Sequence, residues 1–155
     1  MKVAVDTNIL AYAEGVNGTE KRAEALSLIQ NLPEHAVVVP AQALGELFNV
    51  LVLKAKRSRD AARTSVLAWR DVYAVSETSA NVMVDAVDLA KDHKMRIWDA
   101  VMLSAAANSE CRLFLSEDLQ DGFTWRGVTV TNPFRPVRHP LLASLLGELS
   151  SRDDD

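Results

Sequence analysis

The sequence predicts an α/β domain in three layers: a central, mainly parallel sheet of four or five strands with helices on both faces. Three observations lead there. Short runs rich in β-branched residues alternate with longer segments of helical period along the chain. Strand–helix–strand order joins parallel strands by crossovers, which lay the helices on the sheet faces. And 155 residues, 48% hydrophobic and 25% charged, suffice for one globular domain with a sizeable core.

The first strand is Lys2–Val5, KVAV. Residues 20–31 read as a helix, with Ala25, Leu28, Ile29 and Leu32 spaced by three and four. HAVVV at 35–39 is the second strand, and Pro40 suits the first turn of the helix that follows over 41–56. A further helix fits 59–71, with Ser58 as its cap. VYAV at 72–75 reads as a short strand, and 81–92 and 99–108 have helical period. CRLFLS at 111–116 is a strong strand, and GVTVTNPF at 127–134 is the last, stopped by Pro133. Residues 1–135 form the main domain by this reading. Residues 136–155 form a tail, in which Leu141, Leu142, Leu145, Leu146 and Leu149 make one apolar stripe on a short helix. That stripe either docks on its own domain or meets a partner.

The formal net charge of -4 argues against a protein that is basic overall, but leaves room for local basic clusters. Cys111 is the only cysteine, so no intrachain disulfide forms and a reducing compartment is expected. The first uncharged stretch stops at Asp6, which does not fit a signal peptide, and no run approaches the roughly 20 apolar residues that cross a bilayer. A cytoplasmic protein with no membrane contact is the expectation.

Asp6 ends an apolar strand, where an ionised carboxylate is costly unless something compensates it. In a parallel sheet the ligand crevice lies beyond the carboxyl ends of the strands. Asp118 follows CRLFLS by the same logic. Glu46 is the only charged residue from Pro40 to Leu53, in a helix apolar nearly all round and therefore buried. Asp99 opens the Ala-rich helix of RIWDAVMLSAAA, where its charge favours the helix dipole. Singly, each has a plain structural use: a turn cap, a helix cap, a loop anchor, a side chain reaching solvent. Together they crowd negative charge into one crevice, which calls for a hard divalent cation with oxygen ligands.

These blocks resemble the PIN-domain nucleases, and among them the VapC-like ribonuclease toxins of type II toxin–antitoxin pairs. The resemblance runs from VDTNIL through ELFNV, WDAVMLSAAA and FLSEDLQDG to NPF. It implies a PIN-like fold, with the family's four acids on Asp6, Glu46, Asp99 and Asp118, its small polar residue on Asn8 and its hydroxyl on Ser116, where threonine is commoner. It further implies a metal-dependent endoribonuclease using Mg²⁺ or Mn²⁺. Asp6, Asp99 and Asp118 would hold metal, and Glu46 would ligate through water or orient the attacking water. Asn8, Ser116 and, as a neighbour, Glu117 would fix the carboxylate rotamers. His35, His93 and His139 sit in no acid-rich motif and read as structural or solvated.

An RNA substrate should meet basic residues. Lys54, Lys56, Arg57, Arg59 and Arg63 form the densest stretch, with Arg126, Arg135 and Arg138 a second one, though either could be a solvated face. Of the three tryptophans, Trp98 beside Asp99 is the one placed to meet a base, while core packing is the commoner use of a tryptophan. The resemblance also implies a homodimer and a cognate antitoxin protein. The helix over 41–56 is apolar on more faces than a monomer needs, so FNVLVLK at 48–54 with the helix over 59–73 is a candidate contact surface, with burial in the core as the plain alternative. Two alternatives remain: a phosphatase of the haloacid dehalogenase type, and a non-catalytic PIN-like protein that binds metal or RNA. The phosphatase needs a second acid two residues after the first, and that position is Asn8.

Overall fold

The computed structural model describes residues 1–148. Six strands form one sheet in the order β3-β2-β1-β4-β6-β5: β1 (Lys2–Val5), β2 (Val37–Pro40), β3 (Ala74–Ser76), β4 (Cys111–Leu115), β5 (Thr124–Trp125) and β6 (Val128–Thr131). All neighbours pair parallel except β5 with β6. Among the described residues six α-helices lie between the strands, α1 (Thr7–Ala13), α2 (Thr19–Asn31), α3 (Ala41–Leu53), α4 (Arg59–Val72), α5 (Ala80–His93) and α6 (Ile97–Asn108), and α7 (Pro140–Leu145) follows the last strand. Helices α1 to α4 pack together as one group and α5 with α6 as another, giving the three-layer α/β/α arrangement.

The central strands are legible because a parallel strand covered on both faces is apolar at every position rather than alternately. Val3, Ala4 and Val5 have no solvent exposure, and neither do Leu113, Phe114 and Leu115 of β4. The chain leaves β1 outward through β2 and β3, then returns across α5 and α6 to place β4 on the other flank of β1. Strand order therefore reverses between β1 and β4, and that is where an open α/β sheet forms its crevice.

Several boundaries differ from the sequence reading. Helix α1 has no amphipathic signal because six of its seven residues are buried. The sheet has six strands rather than four or five, because β5 and β6 form a hairpin. Its two-residue turn, Arg126–Gly127, has φ of 47° and 81°. Such a turn needs positive φ at both positions, which Asn-Gly or Asp-Gly announces and Arg-Gly does not. Pro40 is not in the first turn of α3: with φ -61° and ψ 137° it is the extended cap residue and pairs with Ser76 as the end of β2. Helix α3 stops at Leu53, three residues short of 56. Ser58 does cap α4, its hydroxyl accepting from Ala61 N at 3.1 Å. In the tail, Leu142 of α7 has no exposure and packs in the common core, while Leu149 of the leucine stripe lies outside the described residues.

Phe114 is the largest side chain buried at the centre of this core. Phe114→Ala is expected to cost about 3–5 kcal/mol, measured by denaturant unfolding.

Candidate functional site

The register Val5↔Leu115 brings the ends of β1 and β4 level. Asp6 follows β1, its backbone N–H donating to Leu115 O at 2.9 Å, and its side chain is only 5% exposed. One carboxylate oxygen caps α1 by accepting from Thr7 N at 2.7 Å; the other accepts from Ser116 Oγ at 2.7 Å. The plain structural use of Asp6 as a cap is thus real and sits beside its place in the crevice. Ser116 is fully buried, and its hydroxyl also accepts from Leu119 N at 3.1 Å, which shapes the loop that carries Asp118. Asn8 Nδ2 donates to Asp118 Oδ2, tying that loop to the first turn of α1.

Glu46 reaches the same place from α3. Thr7 Oγ1 donates to its Oε2 at 2.6 Å, and Gln42 Nε2 donates to its Oε1 at 2.9 Å and to the Trp98 carbonyl at 3.0 Å. Asp99 stands in the first turn of α6. Asp6, Glu46, Asp99 and Asp118 line one cleft of about 280 Å³ together with Thr7, Asn8, Asn49, Val50 and Met102. An adjoining hollow of about 200 Å³ shares Asp99 and Asp118 and adds His93, Arg96 and Phe123. His93 therefore lies beside the acids, in edge contact with Phe123 at 5.1 Å, although its sequence surroundings placed it nowhere near them. His139 caps α7 through Nδ1, which accepts from Leu141 N at 3.1 Å, and His35 is exposed.

The acids act on one another. Burial pushes the Asp6 carboxyl up to about 6; the bonds from Ser116 and Thr7 oppose this, and the charges of Asp99 and Asp118 add to it. Asp99 is also raised, by burial first and then by Glu46 and Asp118, with Arg96 pulling the other way. Among the described residues no three acidic, histidine or cysteine groups converge into a ready-made ion cage. The donor set nonetheless suits a hard divalent ion: it is carboxylate throughout, and its members destabilise one another's charge.

Glu117 faces another way. Its carboxylate accepts from Lys21 Nζ at 2.8 Å and from the Tyr12 hydroxyl at 3.4 Å, which anchors the Asp118 loop to α2 and α1. Lys54 and Lys56 are exposed. Arg57 instead binds Glu14 through its carboxylate (2.9 Å) and carbonyl (2.5 Å), and Ser65 Oγ at 2.9 Å. Arg126 pairs with Asp85 at 2.9 Å and lies over the Trp125 ring. Thr7, Gln42, Lys21 and Arg96 escaped the sequence reading. Only Thr7 carried a signal, as the hydroxyl directly after Asp6.

An α/β domain with acids gathered where its parallel strand order reverses has a known relative. The PIN domain family profile matches residues 3–121, and the chain belongs to that family. No curated protein sequence matches it. Among solved structures, it is similar to the Mycobacterium tuberculosis VapC20 toxin, which cleaves the Sarcin–Ricin loop, at 19% identity and a TM-score of 0.63, covering 76% of this chain and 90% of that one. It is similar to a toxin–antitoxin complex from Klebsiella pneumoniae at 18% identity and TM-score 0.65, covering 86% and 98%. It also matches VapBC2 from Rickettsia felis, bound to a promoter DNA fragment, at 14% identity and TM-score 0.61, covering 85% and 98%. At these identities the likeness is one of fold.

Because the folded chain holds the Asp6 proton up to about pH 6, against an ordinary value of 3.8, it binds that proton more tightly than the unfolded chain does between those limits. Asp6 thus destabilises the metal-free fold increasingly as pH rises through that window, fully so above about 6. Asp6→Asn keeps the shape and removes the charge. In chelator it should be more stable than the parent at pH 7, by on the order of 1–3 kcal/mol, and the difference should shrink towards pH 4 in thermal melts.

Proposed function

We propose that the chain is a metal-dependent endoribonuclease that hydrolyses RNA phosphodiester bonds and serves as the toxin of a toxin–antitoxin pair. The observation that carries this reading is the convergence of Asp6, Glu46, Asp99 and Asp118, from four separate segments, on one cleft at the strand-order reversal. Family membership supports nuclease chemistry, and the toxins and toxin–antitoxin complexes among its structural relatives support the biological role. The phosphatase alternative has Asn8 where it requires its second acid, and Asn8 is bonded to Asp118.

Mg²⁺ or Mn²⁺, when bound, compensates the acids and the charge that grows on the phosphate during attack. Asp6, Asp99 and Asp118 are the residues to hold it. Ser116 and Thr7 set the Asp6 rotamer, and Asn8 sets that of Asp118. Glu46, fixed by Thr7 and Gln42 on its two oxygens, orients the attacking water and accepts its proton. Exposed Lys54, one helical turn beyond the cleft-lining Val50, and exposed Lys56 meet RNA phosphates, joined by Arg96 of the adjoining hollow. Arg57 and Arg126 can join them only by giving up Glu14 and Asp85.

The partners follow the same reading: an antitoxin protein and a second copy of the chain. Half-buried Phe48 and Val52 and exposed Leu53 on α3, with Val72 at the end of α4, supply an apolar face for one of them.

Asp99→Asn should lower RNA cleavage by about a hundredfold or more while leaving the far-ultraviolet circular dichroism spectrum unchanged. Chelation should abolish cleavage by the parent, and added Mn²⁺ or Mg²⁺ should restore it. An Asp99→Asn protein that cuts RNA as fast as the parent would refute the assignment.

A further inference from the structure

The acid-lined cleft continues past Glu46. Glu46 and Asn49 also line an open hollow of about 430 Å³, completed by Gln42, Gly45 and Trp98. Trp98 is 56% exposed, whereas Trp69 and Trp125 pack against the core. A large aromatic ring left in water at the edge of a polar cleft is the unusual case for a domain with a well-filled core. Its backbone is fixed, since the Trp98 carbonyl accepts from Gln42, the residue that also holds Glu46.

Gly45 is the second observation. It lies inside α3, where glycine weakens a helix relative to almost any other residue. No packing demand explains it, because a methyl group there would meet nothing within 4 Å beyond its chain neighbours and its own helix backbone. The chain thus keeps a bare stretch of helix in the same hollow as the exposed indole. Asn49 adds a primary amide that is exposed and makes no side-chain hydrogen bond among the described residues.

We infer that this hollow takes one unpaired nucleobase of the RNA, stacked on Trp98 with its edge towards Asn49, while the adjoining phosphate lies among the acids. The inference rests on the nuclease reading and deepens it: it names the residues of this chain that receive a base beside the phosphate. A base offers a flat π face and a hydrogen-bonding edge, which matches an indole beside an amide. A duplex keeps its bases stacked and offers neither to this site. Glu46 and Asn49 belong to both hollows, so base and phosphate would occupy contiguous space.

The test uses the purified chain with Mn²⁺ and a short random-sequence RNA, either single-stranded or annealed to its complement. Trp98→Ala should slow single-strand cleavage about tenfold to a hundredfold, Trp98→Phe should retain most of the rate, and the duplex should be cut slowly by all three alike. Gly45→Leu should lose cleavage while its melting temperature rises by about 2–4 °C. Replacing the base next to the cut by an abasic ribose should cost the parent the same factor as Trp98→Ala and cost Trp98→Ala nothing further. If the parent is active and Trp98→Ala cuts single strands equally fast, the base site is overturned and the indole is left to a protein partner. If the parent cuts no RNA with Mn²⁺, the nuclease reading itself falls.

Discussion

The Asp6 carboxylate sits one residue past a strand with no solvent exposure, held by Thr7, by Ser116 and by the backbone pairing to Leu115. Those bonds favour the charged form, while burial and the neighbouring Asp99 and Asp118 oppose it, and the opposition wins. Much of the fold is arranged around that unfavourable placement. The strand order reverses there, α1 begins there, and the loop after β4 is shaped there by Ser116. A sheet that packed only for stability would end β1 in an apolar or neutral residue. The retained strain is a local conflict of the kind that marks functional sites.

The sequence was legible where a signal is local. Continuous apolar runs announced β1, β2 and β4, helical spacing announced α2, α5 and α6, and Ser58 announced the start of α4. Helix α1 was hidden because it is buried on nearly every side, and β5 because its turn uses Arg126 in a left-handed conformation. The four acids stood out as charges in apolar surroundings. Asn8 and Ser116, which bond Asp118 and Asp6, were named only through the family resemblance, and the rest of the surrounding network was not legible: Thr7 meets Glu46 across 39 positions, Gln42 meets Trp98 across 56, and Lys21 meets Glu117 across 96. Such pairs exist only once the chain has folded. His93 shows the same limit, since proximity to Asp99 and Asp118 comes from the α5–α6 packing rather than from any spacing.

Charge on this surface divides into two kinds of work. Glu14 gathers Arg57 and the Trp69 indole N–H, at 2.9 and 2.8 Å, and so joins the end of α1 to α4. Because these groups are part-buried and share one carboxylate, their contribution exceeds that of an isolated surface pair. Lys54 and Lys56 have no such commitment among the described residues. The five-residue basic stretch that looks uniform in sequence therefore splits: Arg57 is committed to Glu14, Arg59 lies over the Phe48 ring, and Lys54, Lys56 and Arg63 are exposed.

Gln42 links α3 to α6, two helices that otherwise touch little. Its single primary amide spans from the Glu46 carboxylate to a main-chain carbonyl at the start of the Asp99 helix. The opening between those two acids is therefore bridged, among the described residues, by one neutral side chain that carries no charge into the chemistry. Gln42 rides on the same helix as Glu46, so widening the gap would break only its bond to the Trp98 carbonyl and leave the Glu46 carboxylate held.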